Sequence, residues 1–281
     1  MKGIILAGGH GTRLFPVTIS TSKQLLPIYD KPLIFYPLTT LMEAGIRDIA
    51  IIIKIEDEKS FTDLLGDGSR FGIKITFFFQ EEPRGLAEAF IITEKFIGTS
   101  NTTLILGDNL FYGESFAKLL KKKFHSGARI FCSKVNDPER YGVLEIQGDQ
   151  PISIVEKPEK FISPWAVTGI YTYDSSVIER AKLLKPSKRG EIEITELNQG
   201  FLDDTILDCK FFDQNVVWMD TGTFESMKEA SEFIAAIQKR QGTLVGSPEL
   251  AAYKNQWVTE SEIKNGLTFS NQYTDTLLKL L

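Results

Sequence analysis

Short apolar runs recur along the first half of the chain at residues 3–7, 48–53, 73–79, 103–106 and 129–134. Between them lie longer amphipathic stretches at 33–44, 58–65, 86–96 and 115–124. The pattern predicts short strands taking turns with helices, as when parallel strands are wound through crossovers. Gly45 and Gly66 stand where the first two helices should stop.

The texture changes from Tyr141 onward. Shorter strands at 143–146, 152–156 and 167–173 read as antiparallel additions around the sheet edge, with Pro158 and Pro164 as punctuation. Helical spacing returns at 176–184 and 194–202, followed by strands at 210–212 and 216–219 and a long helix at 224–240. The expected fold class is therefore α/β: a mixed, mainly parallel sheet flanked by helices. We expect one domain over residues 1–241, with residues 242–281 as a helical annex that is not an independent domain. No internal repeat or linker rich in Pro, Gly or Ser interrupts it.

Composition narrows the partners. A chain of 281 residues with 42% hydrophobic and 25% charged positions has an ordinary globular composition, which excludes disorder. Lys and Arg total 32 against 37 Asp and Glu, a net charge of −5, so no basic surplus exists to drive binding to nucleic acid or an anionic membrane. No apolar run approaches the roughly 20 residues that span a bilayer, and the first is too short for a signal-peptide core. A cytoplasmic protein is expected. Cys132 and Cys209 lie in apolar contexts and read as buried thiols. With only His10 and His125 besides, no zinc site can be assembled. A metal here must be hard and oxygen-bound.

The most informative segment is Gly8-Gly9-His10-Gly11-Thr12-Arg13-Leu14, where glycines follow an apolar strand and leave backbone N–H groups free to close on an anion. A dinucleotide fingerprint needs a third glycine opening a helix, and a Walker loop needs Lys then Ser or Thr after its last glycine. Neither pattern is present. A plain tight turn is the competing reading, but Arg13 follows the glycines at once and Lys23 comes soon after in Ser22-Lys23-Gln24-Leu25-Leu26-Pro27. Two cations can then meet one polyphosphate.

The composite of these two segments resembles the signature of the sugar nucleotidyltransferases, and within them most closely the glucose-1-phosphate thymidylyltransferases. The resemblance continues, in order, through Leu106-Gly107-Asp108-Asn109, Arg140-Tyr141-Gly142-Val143, Val155-Glu156-Lys157-Pro158, Ala166-Val167-Thr168-Gly169-Ile170-Tyr171, Arg189-Gly190-Glu191 and Trp218-Met219-Asp220-Thr221-Gly222. It implies a Rossmann-like fold, attack of a glucose 1-phosphate oxygen on the α-phosphorus of dTTP with loss of pyrophosphate, and Mg2+ as cofactor. A uridylyltransferase or other sugar-1-phosphate nucleotidyltransferase of the same fold is the nearest alternative. A silent nucleotide-sugar sensor would have no need of the full charged set.

By the same resemblance Arg13, Lys23, Asp108, Lys157 and Asp220 carry catalysis, with Asp108 and Asp220 as metal ligands. Nucleotide contacts are expected from Leu6, Gly8, Gly9, Gly11, Thr12, Arg13, Gln24, Gln80, Pro83, Gly85, Leu86 and Asp108. Sugar-phosphate contacts are expected from Asn109, Tyr141, Gly142, Glu156, Lys157, Val167, Thr168, Gly169, Tyr171 and Trp218. Read alone, Asp108 is equally a turn or cap aspartate, Asp220 or Thr221 a helix cap, and Lys157 a solvated lysine, though Pro158 should hold Lys157 extended. Glu82 and Arg84 flank Pro83 where the family pattern has serine and aspartate. The resemblance further implies a homotetramer, a deoxysugar such as rhamnose downstream, and a second nucleotide site near Tyr112-Gly113 and residues 248–253. There Glu114 and Leu250 depart from the expected histidine and glutamate.

Overall fold

A computed structural model describes residues 1–281. Strand β1 (Lys2–Leu6) runs into the glycine loop, and a minimal hairpin of β2 (Pro27–Ile28) and β3 (Lys31–Pro32) follows. The chain then alternates through α1 (Phe35–Glu43), β4 (Asp48–Ile53), α2 (Glu58–Leu65), β5 (Lys74–Phe79), the helical pair α3 (Glu88–Ile92) and α4 (Glu94–Ile97), and β6 (Thr102–Leu106). These strands form a parallel block in the order β6-β1-β4-β5. Successive side chains face opposite ways along a strand. Ile5, Ile49 and Ile51 accordingly pack with Leu38 of α1 and Phe61 of α2 on one face, while Ile4, Ala50 and Ile52 meet Phe90 of α3 on the other.

The stretch at 86–96 is not one helix. α3 and α4 meet at Thr93, which leaves helical geometry with φ −99° and ψ 15° while its hydroxyl and its N–H both donate to the Ala89 carbonyl, at 2.6 and 3.1 Å.

Beyond β6 come β7 (Asn109–Tyr112), α5 (Glu114–Leu120), β8 (Ala128–Lys134), the hairpin β9 (Gly142–Gln147) and β10 (Gln150–Glu156), and the long β11 (Trp165–Tyr173). Here the topology departs from the sequence expectation. β8 does not extend the parallel block, because β11 lies between it and β6, antiparallel to both. The strand expected at the sheet edge is thus central, and its residues 166–173 are all buried. The C-terminal half of β11 pairs with β6, and Ala166 near its start pairs with β9. Between these pairings the ladder opens at Thr168 and Gly169, and the site lies against this split.

Helices α6 (Val177–Leu183) and α7 (Ile194–Asp203) cover the second face, and β12 (Leu207–Phe211) joins β8 in parallel to complete a nine-stranded sheet. β13 (Val217–Asp220) pairs only with β7, as a separate antiparallel ribbon, and leads into α8 (Phe224–Gln241). The annex comprises α9 (Pro248–Lys254), α10 (Glu260–Gly266) and α11 (Gln272–Leu280). Leu250, Ile263 and Leu277 form its small core, while Ala251 and Ala252 join the core beneath α1. Both cysteines are free thiols, Cys132 fully buried and Cys209 partly so.

Candidate active site

The site is built where β1, β6 and β11 end. Past Leu6 the backbone N–H groups from Gly8 to Arg13 meet no backbone acceptor, so the loop presents a row of free donors. Gly11 makes this geometry possible with a left-handed φ of 60° that starts the short turn Thr12–Leu14. Thr18 pins the loop by donating its hydroxyl to the Gly11 carbonyl at 2.9 Å. Beside it a polar hollow of about 230 Å³ is lined by Gly9, His10, Ser20, Ser22, Lys23 and Lys54.

Asp108 and Asp220 are brought together by the β7–β13 ribbon, whose register sets Asp220 opposite Asn109. Thr221 locks the arrangement: its backbone N–H and its hydroxyl both donate to the Asp108 carbonyl, at 3.0 and 2.8 Å. Neither aspartate caps a helix, since α8 is capped by Thr223 in a reciprocal pairing with Ser226. Lys23, 7% exposed, donates to Asp108 at 2.5 Å. Burial alone would push the Asp108 carboxyl up, but the Lys23 ammonium and the donors on Lys23 and Asn109 outweigh it and hold it below the usual carboxylate range. Asp220 finds no hydrogen-bond donor. Burial and then the Asp108 charge push its carboxyl upward, against Lys23, Arg13 and Arg140.

A second hollow of about 530 Å³ opens on the other side of the Lys23–Asp108 pair. Arg13 reaches it across Gly222, where a Cβ would lie 2.6 Å from Nη2. Asn109, 2% exposed, closes its floor: its Oδ1 accepts from the Gly169 N–H at 3.1 Å and Trp218 Nε1 at 2.6 Å, and its Nδ2 donates to Asp108 at 2.9 Å. The N–H freed where β11 splits is thereby satisfied by a side chain. Tyr141 packs on Trp218 with ring centres 4.9 Å apart. Glu156 accepts from Thr195 Oγ1 at 2.5 Å and faces Lys157 and Arg189 at 3.5 and 3.4 Å.

Lys157 corrects one expectation. It is not extended before Pro158 but adopts a φ of 43°, as its N–H turns to bond the Tyr141 carbonyl at 2.9 Å where β10 ends. Val167, Gly169 and Tyr171 line the hollow, whereas strand alternation sends the Thr168 side chain the other way, to donate to the Phe131 carbonyl at 2.9 Å, which leaves only its backbone for the expected sugar contact.

Arg13, Asp108, Asn109, Tyr141, Gly142, Glu156, Lys157, Trp218, Asp220 and Leu86 all border the larger hollow. Gln80, Pro83 and Gly85 do not: Gln80 is buried against Gly8, Pro83 lies on an exposed loop, and Gly85 is pressed on the Ile192 backbone. Gln24 is buried too, beside Gly107, and takes the Ser22 hydroxyl at 2.8 Å. Arg140, Arg189, Glu193 and Thr195 border the hollow although none was singled out as a contact. Arg140 adjoins Tyr141 in sequence, and charged positions within the recognised motifs were the signal available.

The profile described as nucleotidyl transferase matches residues 2–237. The chain belongs to the nucleotidyl transferase family. A glucose-1-phosphate thymidylyltransferase of Neisseria meningitidis serogroup A is 50% identical over 286 residues, spanning 100% of this chain and 99% of that one. Among solved structures, a protein from Bacillus anthracis assigned as a glucose-1-phosphate thymidylyltransferase, in complex with sucrose, superposes with a TM-score of 0.77 at 40% identity. That match covers 83% of this chain and 94% of the other. A UDP-glucose pyrophosphorylase complexed with UDP-glucose gives a TM-score of 0.74 at 27% identity, covering 85% and 99%. The chain is thus an enzyme of this nucleotidyl transferase family, similar along its whole length to a glucose-1-phosphate thymidylyltransferase.

A third hollow, of about 810 Å³, separates α1 and α5 from the start of the annex in this nucleotidyl transferase. Tyr112, Gly113 and Glu114 line it, with the Glu114 side chain 95% exposed. Leu250 does not reach it, being turned into the annex core at 3% exposure.

Proposed function

We propose that the chain joins dTTP to glucose 1-phosphate, releasing pyrophosphate and giving dTDP-glucose. The observation that carries this reading is the Lys23–Asp108 pair, standing between a donor-rich loop suited to a triphosphate and a hollow suited to a sugar phosphate. Two anions must meet and a third must leave, so catalysis rests on alignment and on neutralising charge. The glycine-loop N–H groups and Lys23 take the phosphates, and Arg13 spans from the loop to the hollow. Lys157, half-exposed on the opposite wall, holds the sugar phosphate so that its oxygen can attack the α-phosphorus in line. Glu156, Tyr141 and the Gly142 backbone meet the sugar hydroxyls.

The two aspartates suit a hard divalent cation. They are adjacent and all-oxygen, and Asp220 is a part-buried carboxyl with no donor to satisfy it. Asp108 and Asp220 would hold Mg2+, which supplies neutralisation of phosphate charge when bound. The likeness to the thymidylyltransferases also supports a homotetramer and a product destined for a deoxysugar such as dTDP-rhamnose. No helix is long and apolar enough to cross a membrane, and a cytoplasmic location belongs to the same proposal.

The test is pyrophosphate release from a panel of nucleoside triphosphates against a panel of sugar 1-phosphates. We expect dTTP with glucose 1-phosphate first and UTP accepted, because one methyl group is worth only about 1–3 kcal/mol of discrimination. ATP or GTP turned over as fast as dTTP overturns the pyrimidine assignment.

A further inference from the structure

Gln80 directly follows β5 at 5% exposure, with its amide gripped from one side only. Its Nε2 donates to Glu88 Oε2 at 2.7 Å. Glu88, at the start of α3 and also 5% exposed, is itself held by Arg84, whose Nε donates to Oε1 at 2.8 Å while Nη2 forms an ion pair with the same oxygen at 2.7 Å. The Arg84 backbone N–H approaches Oε2 at 3.4 Å. A carboxylate only accepts hydrogen bonds, so the Gln80 amide must turn its NH2 towards Glu88. Its carbonyl Oε1 is thereby aimed at Gly8 and takes no hydrogen bond of its own. A Cβ at Gly8 would stand 2.7 Å from that oxygen, so only glycine leaves the acceptor uncovered beside the anion loop.

We propose that Glu88 is a positioning residue for base selection, fixing Gln80 as an obligate acceptor so that the enzyme takes pyrimidines bearing a ring N3–H and rejects cytosine. The proposal rests on the thymidylyltransferase reading above. Thymine and uracil present N3–H, which Oε1 can accept. Cytosine presents a lone pair at N3, and two acceptors then face each other in a buried site with no donor between them. An unconstrained glutamine would turn its amide over and accept either base. The Arg84–Glu88–Gln80 chain removes that freedom, and Arg84, which departs from the family pattern, anchors it.

The experiment compares dTTP and dCTP as substrates with glucose 1-phosphate in the parent protein, Glu88→Gln and Gln80→Leu, with thermal unfolding as the control for folding. A site built around an N–H donor discriminates by orders of magnitude against an analogue lacking it. Glu88→Gln is isosteric but presents either oxygen or NH2, so the Gln80 amide becomes free to turn. We expect kcat/KM for dCTP to rise at least about tenfold relative to dTTP, while dTTP itself loses only about two- to threefold and the KM for glucose 1-phosphate holds. A merely structural role lowers both nucleotides alike and leaves their ratio untouched. A ratio within about twofold of the parent in Glu88→Gln overturns the proposal, as does parental discrimination surviving in Gln80→Leu. If the parent turns over neither nucleotide, the proposed function fails. The role of Glu88 is then decided by calorimetric binding of dTTP and dCTP to the same proteins, with the same ratios expected.

Discussion

Asn109→Asp separates the chemistry of the site from its architecture. The substitution is isosteric, and one carboxylate oxygen can keep both bonds that Asn109 Oδ1 accepts, from the Gly169 N–H and from Trp218 Nε1. The third bond is inverted, because the Nδ2 donor that meets Asp108 at 2.9 Å becomes an acceptor facing a carboxylate. Two like charges about 4 Å apart repel by about 4 kcal/mol at the effective dielectric of a protein surface. Lys23 at 2.5 Å offsets part of this but is already committed to Asp108. The variant should therefore fold with a melting temperature within a few degrees of the parent, while turnover near neutral pH falls by about a hundred- to a thousandfold. The new carboxyl, beside Asp108, has its pKa raised, and once protonated it donates to Asp108 as the amide did. Turnover relative to the parent should then recover as pH falls. Pyrophosphate release with dTTP and glucose 1-phosphate, followed from about pH 8 down to about pH 5.5, spans the ordinary and raised carboxylate range. Near-parental turnover at neutral pH refutes the reasoning, and so does a loss matched by unfolding and insensitive to pH.

Asp220→Asn removes a charge that the fold resists. Because its folded pKa is raised, the ionised carboxyl is a cost above that pKa, so the variant should melt at or above the parent's temperature at neutral pH and lack the parent's gain in stability on acidification, yet lose at least about a hundredfold in turnover. A melting temperature that falls instead would mean that Asp220 is structural. Lys157→Ala should raise the KM for glucose 1-phosphate about ten- to a hundredfold with little change for dTTP, and equal effects on both substrates would move Lys157 to a shared role. Thr168→Val loses a buried bond to the Phe131 carbonyl and should cost about 1 kcal/mol of stability, seen as a few degrees in melting, with both KM values unchanged. Because Glu114 adds a carboxylate beside the hollow between α1, α5 and the annex, dTDP-rhamnose should inhibit weakly or only in competition with dTTP; tight inhibition at saturating dTTP would contradict this.

The alternating block and the glycine loop were legible in the sequence because each is local. The strand at 48–53 and the helix at 58–65 were placed from periodicity with the bounds that β4 and α2 show. Asp108, Lys157 and Asp220 stood out through the short motifs around them, and no spacing along the chain could pair Asp108 with Asp220. That pairing needed the ribbon of β7 with β13, and β7, only four residues long and following directly on Asp108, carried no turn or period of its own. The place of β11 was equally invisible, since an apolar run reads the same at a sheet edge as between antiparallel neighbours; burial on both faces and the split at Gly169 are properties of its partners. Thr168 turned away because alternation is measured against a sheet face, and the face is known only when the sheet is. Gln80 was expected to meet the base from the motif around it, but its bond to Glu88, which fixes the way its amide points, appeared only in the structure. A hydrogen bond between side chains on a strand end and a helix start depends on how those elements pack, so residue identities determined the available donors and acceptors, and tertiary structure alone decided which way they point.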